Sequence, residues 1–266
     1  MNQENNYIEI NRNSWNNRTD VHLKSEFYDL ENFMKGKSSL NDIELHLLDD
    51  IKGKTILHLQ CHFGQDSISL SRLGAEVTGV DLSDKAIERA KQLAADTQSS
   101  TQFICCDIYD LPNHLNQQFD IVFTSYGTIG WLPDLDKWAK VVSTFLKPGG
   151  QFVFVEFHPV VWMFDDNFEG IGYRYFNSGA IIETENGTYA DKEAAITQDY
   201  VMWNHGLSEV INSLLKNGLE IHSLDEFDYS PYNCFNKTIE FEPNKYRIQH
   251  LDNKIPMVYS INSRKK

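Results

Sequence analysis

Glycine is scarce where an α/β protein most often uses it. The stretch ILHLQCHFGQDSISL, residues 56–70, reads as a buried strand, a turn and a helix, yet the turn holds one glycine, Gly64. Nucleotide-binding turns usually carry two or three, because a pyrophosphate needs close backbone N–H groups and a helix start free of negative charge. Here Gln60, His62 and Phe63 occupy the turn and Asp66 stands near the helix start. A dinucleotide is poorly served.

Other absences narrow the field further. The four cysteines, Cys61, Cys105, Cys106 and Cys234, show no CxxC spacing, which argues for reduced core thiols over a metal cluster or a disulfide framework. Lys and Arg total 24 against 38 Asp and Glu, a formal charge of −14, and no basic cluster precedes the terminal RKK. Such a balance repels a phosphate backbone, so nucleic acid is not the expected partner. No apolar run approaches the roughly 20 residues that cross a bilayer, so no membrane partner is expected. The opening MNQENNYIEINRNSWNNRTD has neither the apolar stretch of a secretory leader nor the Arg/Ser bias of a transit peptide. A cytoplasmic protein is the expectation.

What is present is a regular alternation. Residues 1–50 carry short amphipathic pieces, SEFYDLENFMKG and LNDIELHLLDDI, and read as two or three helices. Strands then alternate with helices: TILHLQC (55–61), EVTGVD (76–81), TQFICCD (101–107), FDIVFTS (119–125) and, after the stop KPGG, QFVFVEF (151–157). That alternation predicts a doubly wound, mostly parallel sheet covered on both faces. Regularity fails after Pro159 and returns with the helix GLSEVINSLLKNGL (206–219) and the strands EIHSLDEF and MVYSINS. The expected organisation is an N-terminal helical lid over 1–50, a core over 51–158, an inserted lobe over 159–205 and the remainder of the sheet over 206–266. Lid and lobe, rich in aromatics and outside the sheet pattern, are expected to close over a substrate.

Open α/β sheets bind ligands beyond the carboxyl ends of their strands. Those ends offer Gln60, Cys61, His62 and Gly64, then Asp81, Asp107, and Ser125 with Tyr126. Asp81 lies 17 residues beyond Gly64, near the spacing at which a carboxylate meets a ribose diol. Asp107, one strand further out, is placed to accept from the exocyclic amine of an adenine. Two acids so placed describe an adenosine pocket without phosphates.

The runs ILHLQCHFG, GVDLS (79–83), CDIYDLP (106–112), FDIVFTS and LKPGG (146–150), in this order and spacing, resemble the class I S-adenosylmethionine-dependent methyltransferases over residues 54–157. The resemblance extends to LSEVINSLLKNGLEI (207–221). It implies a Rossmann-like, seven-stranded sheet whose last two strands form an antiparallel edge, with MVYSINS as the seventh, and S-adenosylmethionine as cofactor. It also implies that Gly64 is the last glycine of the first motif, that Asp81 binds ribose and that Asp107 and Ile108 contact adenine. The cofactor set becomes Gln60, Cys61, His62, Gly64, Asp66, Asp81, Leu82, Asp107, Ile108 and Ser125. In place of an acid and two earlier glycines this chain has His58, Gln60 and His62.

The expected activity is methyl transfer by in-line displacement to a small-molecule acceptor. Gly64 is expected to allow a close backbone approach to the ligand. Trp15, Tyr126, Trp131, Trp203 and His205 are the candidate substrate contacts. His158, directly after the fifth strand, is the candidate general base, with His205 as the other. His58, Gln60 and His62 share a strand face, but no paired Cys or His answers them, so no metal is expected. The rivals are a non-catalytic adenosine-ligand binder with the same fold and, behind it, an NAD-dependent dehydrogenase.

Overall fold

A computed structural model describes residues 3–266. Three helices come first: α1 (Tyr7–His22), α2 (Leu30–Met34) and α3 (Asp42–Leu48). The alternating core follows as β1 (Thr55–Leu59), α4 (Gln65–Arg72), β2 (Glu76–Asp81), α5 (Asp84–Asp96), β3 (Gln102–Cys105), β4 (Phe119–Ser125), α6 (Leu135–Phe145) and β5 (Leu146–Phe157). The helices form for local reasons. In α5 the buried positions Ala86, Ile87, Ala90, Leu93 and Ala94 recur at helical spacing, and the Ser83 hydroxyl caps the first turn by accepting from the Ala86 N–H. In α6, Asp134 plays that part for the Lys137 N–H, and Trp138 on the buried stripe is fully covered.

Two hairpins depart from the regular pattern. β6 (Ile181–Asn186) and β7 (Thr197–Met202) pair antiparallel inside the 159–205 insertion. After α7 (Leu207–Lys216) and β8 (Leu219–Phe227), a second hairpin of β9 (Thr238–Glu242) and β10 (Lys245–Ile248) precedes the last strand, β11 (Val258–Lys265). The main sheet has the order β3-β2-β1-β4-β5-β11-β8. Its first five strands run parallel, and β11 lies antiparallel between β5 and β8. The Rossmann-like, mostly parallel seven-stranded fold expected from the motifs is what the chain adopts. Several boundaries differ: β3 spans only Gln102–Cys105; β1 ends at Leu59, so Gln60 and His62 lie in the turn and share no strand face with His58; and β5 begins at Leu146, which pairs with Phe119, so KPGG is an irregularity inside the strand and not a stop before it.

The parallel strands are apolar on both faces because helices cover both. Leu57, Leu59, Val122 and Phe154 pack under α6 and α7, while Ile56, Ile121, Phe123 and Val153 pack beneath α3 and α4. This fixes the strand ends, where the chain order reverses between β1 and β4, as a rigid rim. Among the described residues no helix is long and apolar enough to cross a membrane.

Candidate functional site

Over that rim lies a cavity of about 1200 Å³. Its floor is the turn after β1 and the ends of β2, β3 and β4; its walls are α1, the β6–β7 hairpin and the loop 228–237.

The turn after β1 has the backbone of a glycine turn without the glycines. Gln60 has φ 55, His62 φ 50 and Gly64 φ 81, three left-handed residues in alternation. For Gln and His this conformation is strained by about 1–2 kcal/mol, and their side chains show what holds it. The Gln60 amide nitrogen donates to the Thr128 carbonyl at 2.8 Å, tying this turn to the loop after β4. His62 Nε2 lies 2.9 Å from Nδ1 of His22, at the end of α1. Burial drives both imidazoles down, His62 to about 3 and His22 to about 2, so the pair is neutral. Gln60→Gly relieves strain but loses one hydrogen bond of about 1 kcal/mol, so urea unfolding should move by less than about 1 kcal/mol. His62→Gly relieves the same strain yet strips buried His22 of its ring partner, at about 1–3 kcal/mol, and should unfold measurably earlier than Gln60→Gly.

Gly64 has a different reason from the one expected. A Cβ there would stand 2.5 Å from the Phe103 ring and 3.1 Å from Ala90, at φ +81. The glycine lets the turn pack against β3 and α5; its missing side chain points into the core, away from any ligand's approach. Its backbone still borders the cavity.

Asp81 closes β2. Its carboxylate accepts the His62 N–H at 2.8 Å and the Ser83 N–H at 2.9 Å, leaving lone pairs free toward the cavity. Burial raises it to about 6, against the N–H bonds from Ser83, His62 and Leu82. Asp107 follows β3, accepts from the Tyr109 N–H at 3.0 Å and is also raised by burial. Asp66, on the first turn of α4, is lifted to about 6 by burial, opposed by the Ser39 hydroxyl at 2.6 Å and the Ser125 hydroxyl.

The structure brings Gln60, Cys61, His62, Gly64, Asp66, Asp81, Leu82, Asp107, Ile108 and Ser125 to one cavity, together with Trp15, Tyr126, Trp131, Trp203 and His205. His158 is not among them. Its side chain is buried beside the sheet edge, with Nδ1 accepting the Val160 N–H and Nε2 2.9 Å from Glu226, so neither ring nitrogen is left for a substrate. His205 reaches the cavity, but its Nε2 meets the Leu132 carbonyl at 2.8 Å and its Nδ1 lies 3.1 Å from Glu209.

Several cavity groups had no sequence signal. Arg18 on α1 is buried under the rings of Trp15, Trp131 and Tyr200 and reaches Glu185 on β6. Tyr28 and Tyr189, far apart in sequence, meet hydroxyl to hydroxyl at 2.5 Å. Tyr232 and Phe235 enter from the loop between β8 and β9. Glu156, buried in β5, accepts from the N–H groups of Gly127, Thr128 and Ile129 and from the Thr128 hydroxyl, and so locks the loop after β4. Arg18 and Tyr28 were invisible because their partners Glu185 and Tyr189 lie 167 and 161 residues along the chain, and Glu156 because its partners lie on the loop after a neighbouring strand, 27 to 29 residues back.

The arrangement fits an adenosyl ligand carrying an amino acid. Asp81 and Asp107 offer acceptors at neighbouring strand ends. Buried polar atoms without partners, Gln60 Oε1 and His62 Nδ1, remain at the turn where the ligand's polar end would lie. No group of three His, Cys, Asp or Glu side chains able to hold a metal occurs among the described residues.

Comparison with known proteins agrees with this geometry. Residues 56–150 match the family model described as a methyltransferase domain. A ubiquinone biosynthesis O-methyltransferase of Coxiella burnetii is 32% identical over 135 residues, a match covering 50% of this chain and 57% of that protein. The chain therefore matches little more than half the length of this curated relative. An S-adenosylmethionine-dependent methyltransferase of known structure from Mesorhizobium loti superposes with a TM-score of 0.58 at 22% identity, over 87% of this chain and 100% of that one. A second, from Clostridium acetobutylicum, has a TM-score of 0.56 at 17% identity, over 93% and 95%.

Proposed function

We propose that this chain, whose residues 56–150 match a methyltransferase-domain model, is a class I S-adenosylmethionine-dependent enzyme that moves the methyl group of S-adenosylmethionine to a small-molecule acceptor. The observation that carries the reading is the placement of Asp81 and Asp107 at successive strand ends beside a three-fold left-handed turn, all on one cavity. When bound, the cofactor supplies a methyl group made electrophilic by its sulfonium. The chain's task is then to bind, align and exclude water. Asp81 would hold the ribose hydroxyls and Asp107 with Ile108 the adenine. Gln60, His62 and Asp66 would face the amino-acid end. Trp15, Trp131 and Trp203 line the enclosure, with Trp15 meeting His62 edge-to-face at 5.1 Å and Trp131 edge-to-face at 5.2 Å. The N-terminal helices and the 159–205 lobe act as its cover. The net charge of −14 supports a small-molecule acceptor over nucleic acid, and a cytoplasmic setting suits the buried thiols of Cys61 and Cys106.

Asp81→Ala should weaken S-adenosylhomocysteine binding at least about tenfold, since a charged acceptor of hydrogen bonds contributes about 1.5–3 kcal/mol. The pH dependence has a definite sign. Asp81 is held at about 6 in the folded protein, and ribose hydroxyls bind its ionised form. Affinity should therefore rise with pH up to about 6 and then level, with Asp81→Asn flattening that rise in calorimetry. A flat wild-type profile together with an unaffected Asp81→Ala protein would remove Asp81 from the ligand.

A further inference from the structure

Resting on this methyl-transfer reading, we propose that Tyr126, backed by Glu44, takes the proton of the methyl acceptor, and that the acceptor is an aromatic compound attacked at a hydroxyl oxygen. Tyr126 follows β4 directly and lines the cavity. It is held at φ 47, a strained conformation for a bulky residue. The surroundings enforce that conformation: the Tyr126 N–H donates to the Val155 carbonyl at 2.7 Å, and Glu156 fixes the next three N–H groups. The ring is thereby set in one place, with its hydroxyl donating to Glu44 Oε2 at 2.8 Å.

Glu44 lies behind that ring with none of its surface exposed. Its other oxygen has an ordinary structural use, because Glu44 closes the capping box of α3 with Asn41. The capping box does not account for Oε2, whose hydrogen-bond donor is Tyr126. The groups that face Glu44 are Asp66 from α4, Tyr126 from the end of β4, Asn41, and Tyr232 from the 228–237 loop; no cation is among them. Burial raises Glu44 to about 7, opposed by the Asn41 N–H, and the Asp66 charge adds to the rise. A carboxylate in this range accepts a proton readily at neutral pH.

Because the Tyr126 proton is committed to Glu44, the phenol oxygen meets a ligand only as an acceptor. It therefore selects a ligand atom that carries a hydrogen. The rings of Phe157 and Tyr232 lie against it, with Phe235 and Phe27 packed on those in turn and all four lining the cavity, which suits a planar ring. In the step, the acceptor O–H proton passes to Tyr126 Oη as the Tyr126 proton passes to Glu44 Oε2. The electron pair left on the acceptor oxygen forms the O–CH₃ bond, and the pair of the broken S–CH₃ bond stays on sulfur. The sulfonium charge and the Glu44 charge disappear together, and the Glu44 proton later returns to solvent.

Tyr126 is the catalytic residue of this scheme and Glu44 the positioning residue behind it. Transfer of tritiated methyl from S-adenosylmethionine would be measured to phenol, catechol and 3,4-dihydroxybenzoate, and to thioanisole and N,N-dimethylaniline, which have no proton to lose. The expected result is transfer to hydroxyl compounds, with a kcat limb near pH 7. Tyr126→Phe should lower kcat about 100-fold while KM and S-adenosylhomocysteine affinity change less than about threefold. Glu44→Gln keeps a capping-box side chain and should abolish the limb. Independently of turnover, infrared titration of the ligand-free protein should show a carboxylic-acid band with its midpoint near pH 7, missing in Glu44→Gln and displaced in Tyr126→Phe. Transfer only to thioanisole or N,N-dimethylaniline, transfer to none of the five, or full kcat in Tyr126→Phe overturns the relay. Failure of the wild-type protein to bind S-adenosylhomocysteine overturns the methyl-transfer reading instead.

Discussion

Gly64→Val should cost the protein its fold before it costs it a ligand. Even alanine would carry its Cβ to 2.5 Å from the Phe103 ring and 3.1 Å from Ala90, with the backbone at φ +81. The left-handed conformation costs about 1–2 kcal/mol for a residue with a Cβ, and overpacking a closed core costs about 1–3 kcal/mol. Gly64→Ala should therefore lose about 2–5 kcal/mol, a large part of a typical domain's 5–15 kcal/mol. Valine branches at that same carbon and adds to the overlap, so Gly64→Val should fail to accumulate as folded protein. Thermal unfolding of Gly64→Ala, followed by circular dichroism, decides the matter. An unchanged midpoint with weakened S-adenosylhomocysteine binding would mean that the glycine serves the ligand and not the Phe103 contact.

Removing residues 1–20 should abolish turnover and also weaken the cofactor, while leaving the sheet able to melt cooperatively. The sheet core is built from β1 to β5, β8 and β11, with α3 to α7 packed on it, and its main clusters draw nothing from α1. The cavity depends on α1 throughout. Asn11 bonds the Val201 backbone on both sides, at 2.8 and 2.9 Å, as a strand neighbour would. Arg18 holds the β6–β7 hairpin through Glu185, and Asn16 accepts the Ser83 hydroxyl beside Asp81 at 2.6 Å. Trp15 covers His62. Loss of these contacts would open the cavity to water and remove one of its walls. Cofactor affinity would be read by calorimetry and turnover by tritium transfer; a truncated protein with full affinity and full rate would show that α1 is not the cover.

The same helix shows where sequence reading ends. The buried stripe of α1 is Asn11, Ser14, Arg18, Thr19 and His22, which has helical spacing but polar chemistry. A hydropathy pattern cannot register a face whose partners are backbone carbonyls, a carboxylate and a second imidazole. By contrast α5 and α6, whose buried residues are apolar, were plain from periodicity, as were the strands with apolar residues on both faces. Asp81 and Asp107 were legible because one helix and one strand set the distance between successive strand ends. Glu44, Tyr189 and Tyr232 were not, since their partners lie 82, 161 and 191 residues away along the chain. The turn after β1 lies between these cases. Its missing glycines read as a departure, and only the backbone shows that Gln60 and His62 keep the glycine conformation. The histidine after the fifth strand looked like a base because it follows a strand end, but its side chain is spent on Glu226 and Val160.

The central claim is that this cavity is built for an adenosyl sulfur ligand without phosphates. Isothermal titration of the full chain at pH 7.5 with S-adenosylmethionine, S-adenosylhomocysteine and NAD, run in parallel, tests it most directly. One-site binding of the first two and no heat with NAD are expected, because the turn after β1 has neither the open glycines nor the uncharged helix start that a pyrophosphate needs. Binding of NAD, or silence from both sulfur ligands in a folded protein, would contradict it.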